Sequence, residues 1–205
     1  MFNDLIDPSK AKRPLVGING EIFLRSNEFS NQNLVRNCEA AGLEVVVSPI
    51  NEWFDYISLR SIEDGIRDRK VGKIIYAYIK KKIQERDERS VTKNLEPFLG
   101  IEDSTIEELY SFTKPYLSPK CGSEAILTIG SGVEWLENPA FAGVISVMPH
   151  GCMPGGIGAA LADSLSARYG KPWTTLTYDG SPESNNLTRI NNFAESTYND
   201  FMNGL

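Results

Sequence analysis

Short apolar runs alternate with longer stretches of helical periodicity along this chain. Pro14-Leu15-Val16-Gly17-Ile18, Glu44 to Ser48 through Val45-Val46-Val47, Gly143-Val144-Ile145-Ser146-Val147 and Trp173 to Thr177 are short and mostly β-branched, the pattern of buried strands. A helix follows the first run, with Leu34, Cys38 and Ala41 on one face, candidate caps at Ser26, Asn27 or Ser30, and a stop at Gly42. An alanine-rich helix from Ile157 to Arg168 follows the third, with Pro154 in its first turn, where a missing N–H does no harm. A last helix places Leu187, Ile190, Ala194, Thr197 and Phe201 on one face.

Roughly ninety residues separate the second and third runs, whereas a crossover needs only a dozen or more. Trp53, Phe54, Tyr56 and Ile57 mark a short helix, and Ile62 to about Arg89 reads as one long helical segment. Val71, Ile75, Tyr78 and Ile79 lie on one side of that segment, and Lys80-Lys81-Lys82 belongs to a solvated face. Thr105 to Tyr116 predicts another helix, and Ser123 caps one running from Ala125 to Leu136. The order is β-α-β, a helical insertion, then β-α-β-α. Right-handed crossovers turn that order into an α/β fold, a Rossmann- or flavodoxin-like four-stranded parallel sheet in the order 2-1-3-4. The expectation is a single domain over residues 1–205, with the insertion at about 52–117. Ligands of such sheets bind beyond the carboxyl ends of the strands, where the order reverses. Three loops converge there: Asn19 to Asn27, Met148 to Gly156 and Asp179 to Glu183.

Composition narrows the class. A chain of 205 residues with 41% hydrophobic and 23% charged residues suits an ordinary globular protein. A net charge of −6 argues against nucleic acid or an acidic membrane as the main partner. No apolar run approaches the roughly 20 residues that span a bilayer, and Met1 to Arg13 lacks the apolar core of a signal peptide. Three cysteines without regular spacing make no disulfide framework, so a reducing cytoplasm is the expected home.

The candidate chemistry centres on Met148-Pro149-His150-Gly151-Cys152-Met153-Pro154. Cys152 is expected at the carboxyl end of the third strand and close to a helix N-terminus, a setting that favours a thiolate. Cys121, in the turn Ser118 to Glu124, also precedes a helix. These two are the candidate metal ligands, whereas Cys38 reads as core packing. Their separation is unlike a tight Cys-x-x-Cys run, and two thiolates do not complete a cubane that takes four. His150 and Cys152, two apart in a loop, do not suggest a nucleophile pair, so no catalytic residue is assigned. Glu21 and Asp179 are the candidate cofactor-binding residues, because both stand on loops at the strand ends. Asp179, Glu183 and Arg189 also suit plain turn, cap and surface roles. Neither Asn19-Gly20-Glu21 nor Gly155-Gly156 matches a P-loop or dinucleotide fingerprint, so no ATP site is expected.

Several of these segments together carry a family resemblance. Leu15-Val16-Gly17-Ile18-Asn19-Gly20-Glu21-Ile22-Phe23, Asn31, Leu34-Val35, Gly42-Leu43-Glu44-Val45, Gly122-Ser123-Glu124-Ala125, Val147 to Pro154, and Tyr178-Asp179-Gly180 followed by Thr188-Arg189-Ile190 and Phe193 are similar to the C-terminal region of 2-hydroxyacyl-CoA dehydratase subunits. The chain most resembles the fused CoA-substrate-specific enzyme activase proteins. The resemblance implies a [4Fe–4S] cluster held by cysteines, Cys152 and Cys121 among them. It also implies ATP-driven electron transfer for acyl-CoA chemistry, with an activator and other domains or subunits as partners. The family's preceding domain, which supplies another ligand, is absent here, so the isolated chain is expected to be catalytically incomplete. Purified in air, it is expected to hold no intact cluster. Two other readings stay open: an interaction domain that kept the fold without a cluster, and a flavodoxin-like binder of a small ligand.

Overall fold

The four apolar runs become four parallel strands in the computed structural model, which describes residues 11–93, 104–121, 123–181 and 185–203. They are β1 (Leu15–Gly20), β2 (Glu44–Val47), β3 (Phe141–Pro149) and β4 (Trp173–Tyr178), in the sheet order β2-β1-β3-β4. Helices surround this sheet, giving the Rossmann-like α/β fold expected from the sequence. The chain divides into two compact units. One comprises residues up to Val47 and from Gly132 onward, and the other runs from Ser48 to Ser131. Met1 to Lys10, Gly122 and Glu183, which figure in the sequence reading, lie outside the described residues.

The first unit holds the sheet, and strand alternation decides which face each side chain serves. Val16 and Ile18 of β1, Ile145 and Val147 of β3, and Leu176 and Tyr178 of β4 point to one face. There they meet Leu34 and Cys38 of α2 (Leu34–Ala40) and Ile190, Phe193 and Ala194 of α8 (Asn186–Asn203). The opposite face packs on α7 (Met153–Tyr169) and on the end of α6 (Ala125–Glu137). A Cβ at Gly17 would lie 1.9 Å from the Trp135 ring, so the glycine is what lets that indole lie flat on β1. A buried polar group crosses this face: the Trp173 indole donates to Ser146 Oγ (2.8 Å), and Ser146 Oγ donates to Asn19 Oδ1 (2.5 Å). Each member has a partner, so the group fixes strand register without leaving a polar atom stranded.

Two local expectations for this unit need correction. A short helix, α1 (Ile22–Ser26), follows β1 directly, and α2 begins only at Leu34. Ser26, Asn27 and Ser30 therefore do not cap α2. Asn27 instead accepts from the Ser30 N–H (2.9 Å) and closes its own turn. Gln32 and Asn33 then take left-handed backbone conformations before the helix starts. Side-chain turns of this kind compete with helix initiation, and asparagine is at home in them. Gly42, at φ +89°, ends α2 as expected.

The second unit is built on an antiparallel hairpin of α3 (Asn51–Arg67) and α4 (Val71–Thr92), followed by α5 (Ile106–Thr113) and the start of α6. The long helix expected from Ile62 to Arg89 is thus two helices. The break has no glycine or proline. It rests on Arg69 at φ 55°, with the N–H groups of Asp68, Arg69 and Lys70 returned to the carbonyls of Asp64, Ile66 and Gly65. Thr105 and Glu108 form a reciprocal capping box at the start of α5. Tyr56, Ile106, Leu109, Ile126 and Leu127 make this unit's core.

On α4 the apolar side is exposed rather than packed, whereas Lys80 and Lys82 are exposed as expected. Val71, Ile75, Tyr78 and Ile79 are exposed, while Lys81 is mostly covered and its Nζ reaches Glu107 Oε1 at 2.5 Å. Gln84 accepts from Ser58 Oγ (2.8 Å), and Glu88 accepts from the Asn51 amide. Polar side chains, with buried Ala77 and with Ile74 against Gly65, therefore hold the hairpin together, while Ile75, Ile79 and Ile83 face outward.

Burial in the first unit has a consequence at alkaline pH. Cys38 has no exposed surface, and burial, followed by the neighbouring Glu39 charge, pushes its thiol from 9.0 up to about 12. Above pH 9 the unfolded chain loses this proton while the folded chain keeps it. Stability that is fully present below pH 9 is therefore lost as the pH rises toward 12, by at most about 1.4 kcal/mol per pH unit. Denaturant titrations at pH 8, 9 and 10 are expected to show a steeper loss in the wild type than in Cys38→Ala, where the buried Tyr178 phenol, also raised by burial, still contributes. Equal slopes would mean that Cys38 is not the titrating group.

Candidate functional site

At the carboxyl ends of the strands, the first unit opens into a crevice of about 1160 Å³. Its walls come from the loops after β1, β3 and β4 and from the starts of α2 and α8. Glu21 reaches it from β1, Pro149 and His150 from β3, and Asp179 and Gly180 from β4. This is the side of the sheet where order reverses between β1 and β3, the position at which open α/β sheets bind ligands. Glu21 and Asp179, named from the sequence alone, thus line one cavity.

Their carboxylates are already engaged. Glu21 is the N-cap of α1: Oε1 accepts from the Phe23 N–H (3.2 Å) and Oε2 from the Leu24 N–H (2.7 Å). Asp179 Oδ1 accepts from the Ser181 N–H (2.8 Å) and closes a turn around Gly180, whose φ is +82°. Both residues shape the crevice rim through the backbone they hold. His150 donates its backbone N–H to the Tyr178 carbonyl (2.9 Å), which joins the β3 and β4 loops.

Amide side chains complete the walls; of these the sequence reading named Asn31, within the resemblance, but assigned none of them to the site. Asn31 is buried; its Nδ2 donates to the Leu24 carbonyl (2.9 Å), and its Oδ1 accepts from the Leu34 N–H (3.1 Å). Asn186, also buried, donates to the Thr177 carbonyl (3.0 Å) and ties α8 to the end of β4. Gln32 donates to the Ser181 carbonyl (2.9 Å) and links the α2 approach to the β4 loop. The available signal was density: Asn27, Asn31, Asn33 and Asn37 crowd one short segment, and Asn185-Asn186 opens the last helix. Such residues support turns and helix starts because they bond to nearby backbone.

Cys152 stands at the N-cap of α7, with Pro154 in the first turn and Gly151 before it at φ +75°. Its thiol is free and half-buried, its side chain makes no capping hydrogen bond, and it does not appear among the described residues that wall the crevice. The Cys152 N–H donates to the Pro149 carbonyl (3.1 Å), and its own carbonyl accepts from Gly156 (2.9 Å). Cys121 belongs to the second unit, in the 3-10 turn Pro119–Cys121, where it is exposed. Cys38 is buried in the core, as its helical spacing predicted. Among the described residues, no group of three or more His, Cys, Asp and Glu side chains comes together in a way that would hold a metal ion. Nor is any described helix long and apolar enough to cross a membrane.

Comparison of the chain with family models, with curated proteins and with solved structures found no match.

Proposed function

We propose that this chain is an iron–sulfur-associated domain of a 2-hydroxyacyl-CoA dehydratase or activase system, in which Cys152 supplies one thiolate to a centre completed by another polypeptide. The reading rests on the segments that resemble that family and on one observation that carries it. Cys152 offers a free, half-exposed thiol just beyond the carboxyl end of a central strand, at the N-cap of a 17-residue helix. A cubane takes four ligands, and the described side chains do not assemble such a set. On this reading the described residues leave the ligand set incomplete, and the chain's role is that of a contributing partner in the cytoplasm. Acyl-CoA is the expected substrate of the assembly.

The test is anaerobic reconstitution with ferrous iron, sulfide and excess dithiothreitol, the small thiol standing in for the missing ligands. The wild type and Cys38→Ala are expected to gain a broad visible absorption that bleaches on reduction, and Cys152→Ser to lose it entirely. A colourless, metal-free wild type would overturn the proposal.

The crevice favours a second reading, a flavodoxin-like binder of a small ligand at the strand ends. It would show as a rise in melting temperature with a mononucleotide, abolished by His150→Ala together with Asp179→Ala and unaffected by Cys152→Ser.

A further inference from the structure

In open α/β sheets a ligand's phosphate ordinarily rests on the N–H groups at the start of the helix after the first strand. In this chain Glu21 already occupies that place. Its Oε1 and Oε2 accept from the Phe23 and Leu24 N–H groups, at 3.2 and 2.7 Å. Beyond β4, Asp179 Oδ1 takes the Ser181 N–H in the same way, at 2.8 Å. Both acids line the crevice, and neither lysine nor arginine is among the described residues that wall it. A phosphate placed there finds these donors taken, faces two carboxylates and gains no cation from those walls. Because each carboxylate is spent on backbone N–H groups, neither demands a cation either.

The apolar part of the wall suits a ring. Phe23 and Phe29 are 61% and 93% exposed and both line the crevice, as do exposed Leu187 and buried Leu24 and Ile190. A phenyl ring left in water gains when a flat face covers it, and such stacking tolerates any base-like ring. Polar groups along the same walls remain for the ring's edges. Asn33 makes no capping hydrogen bond, and Asn37 spends its Nδ2 on the Gln32 carbonyl (2.8 Å), which leaves its Oδ1 as an acceptor. His150 bonds to Tyr178 through its backbone, which leaves the imidazole for a ligand. Amides and an imidazole supply both donors and acceptors, as the edges of an uncharged heterocycle require. A largely apolar wall with a few placed polar groups is the usual make-up of a small-molecule site, and about 1160 Å³ holds a ligand of nucleoside or flavin size.

We propose that the crevice binds a flat, uncharged heterocycle against Phe23 and Phe29 and discriminates against its phosphorylated form through Glu21 and Asp179. This rests on the second reading above, a small-ligand binder at the strand ends, and names the class of ligand.

The test uses the full chain and two pairs of compounds that differ only by a terminal phosphate: riboflavin with its 5′-phosphate, and adenosine with its 5′-monophosphate. In thermal-shift and fluorescence titrations at low salt, the unphosphorylated member of at least one pair is expected to bind saturably. Its phosphate ester is expected to bind at least tenfold more weakly, measurable only at higher concentration. Salt is expected to narrow that gap, because it screens the carboxylates from the phosphate and leaves stacking alone. Phe23→Ala with Phe29→Ala, on exposed positions, is expected to weaken the unphosphorylated ligand at least tenfold without moving the melting temperature of the free protein. Glu21→Gln with Asp179→Asn is expected to strengthen the phosphate ester relative to its partner; should that variant fail to fold, the salt dependence of the wild type decides the same point. A phosphate ester that binds as tightly as its partner or more tightly, or binding indifferent to both phenylalanines, overturns this proposal and leaves the small-ligand reading standing. No binding of any of the four compounds overturns both.

Discussion

Gly20→Ala is expected to destabilise the first unit by roughly 3 kcal/mol or more, the larger of the two stability effects compared here. Gly20 ends β1 at φ +108°, a backbone conformation that a side chain resists. A Cβ there would lie 2.1 Å from the Val147 carbonyl oxygen and 2.7 Å from the Val147 nitrogen. Both atoms are backbone of the paired central strand β3, so neither can swing aside as a side-chain tip would. The same carbonyl accepts from the Glu21 N–H (2.9 Å), and the substitution pushes directly on that bond. Glu21 caps α1 and lines the crevice, so the damage spreads from strand pairing to the candidate site. Gly156→Ala is the control, since it meets open space within α7 and has no left-handed backbone. It is expected to be neutral or to stabilise by up to about 1 kcal/mol, the helix-propensity difference. Denaturant unfolding followed by Trp135 and Trp173 fluorescence reports on this unit, because both indoles are buried in it. Equal midpoints for the two variants would show that β1 and β3 are not tied at Gly20.

Thiol labelling separates the three cysteines by orders of magnitude. At pH 8 with an aromatic disulfide reagent, Cys121 and Cys152 are expected to react promptly, one exposed and one half-buried. Cys38 is expected to react at least about a thousandfold more slowly. A thiol held at about 12 presents roughly one thiolate in ten thousand at pH 8, and the thiolate is the reacting form. Cys38 is also sealed among Val16, Ile18, Leu34 and Leu43, so reagent reaches it only when the unit opens. Mass spectrometry is expected to find two labels early and the third only in denaturant, with Cys38→Ala removing the late one. Early modification of Cys38 would contradict its place in the core.

Most of the sheet was legible because its signals are local. Gly17-Ile18, Val45-Val46-Val47 and Val144-Ile145 are short apolar runs that favour strands, although β2 at the sheet edge is only half-buried, and the right-handed crossover rule converts their order into 2-1-3-4. β3 proved longer than its apolar run, since it extends to Pro149 through pairing with β4 rather than through hydrophobicity, whereas β2 stops one residue short of the expected Ser48. Cys38 was readable from its spacing to Leu34, and Pro154 from its fit to a first helical turn. The candidate site was legible only in outline. Topology placed Glu21 and Asp179 beyond the strand ends, but their engagement with nearby N–H groups depends on side-chain geometry that a string of letters does not contain.

The sequence by itself determined the alternation of strands and helices, the parallel sheet order and the burial of Cys38, because periodicity and crossover handedness act over a few residues at a time. Tertiary structure alone decided the rest. Arg69 breaks the helical segment without any breaker residue, because the returning α4 is held by Ser58, Asn51 and the gap at Gly65. Those partners lie up to 37 residues away. They turn α4 so that Ile75, Ile79 and Ile83 face out, against the preference its own apolar stripe expresses. Likewise Asn31, Gln32 and Asn186 wall the crevice through bonds to Leu24, Ser181 and Thr177, contacts that exist only once the loops of three strands have been brought to one end of the sheet.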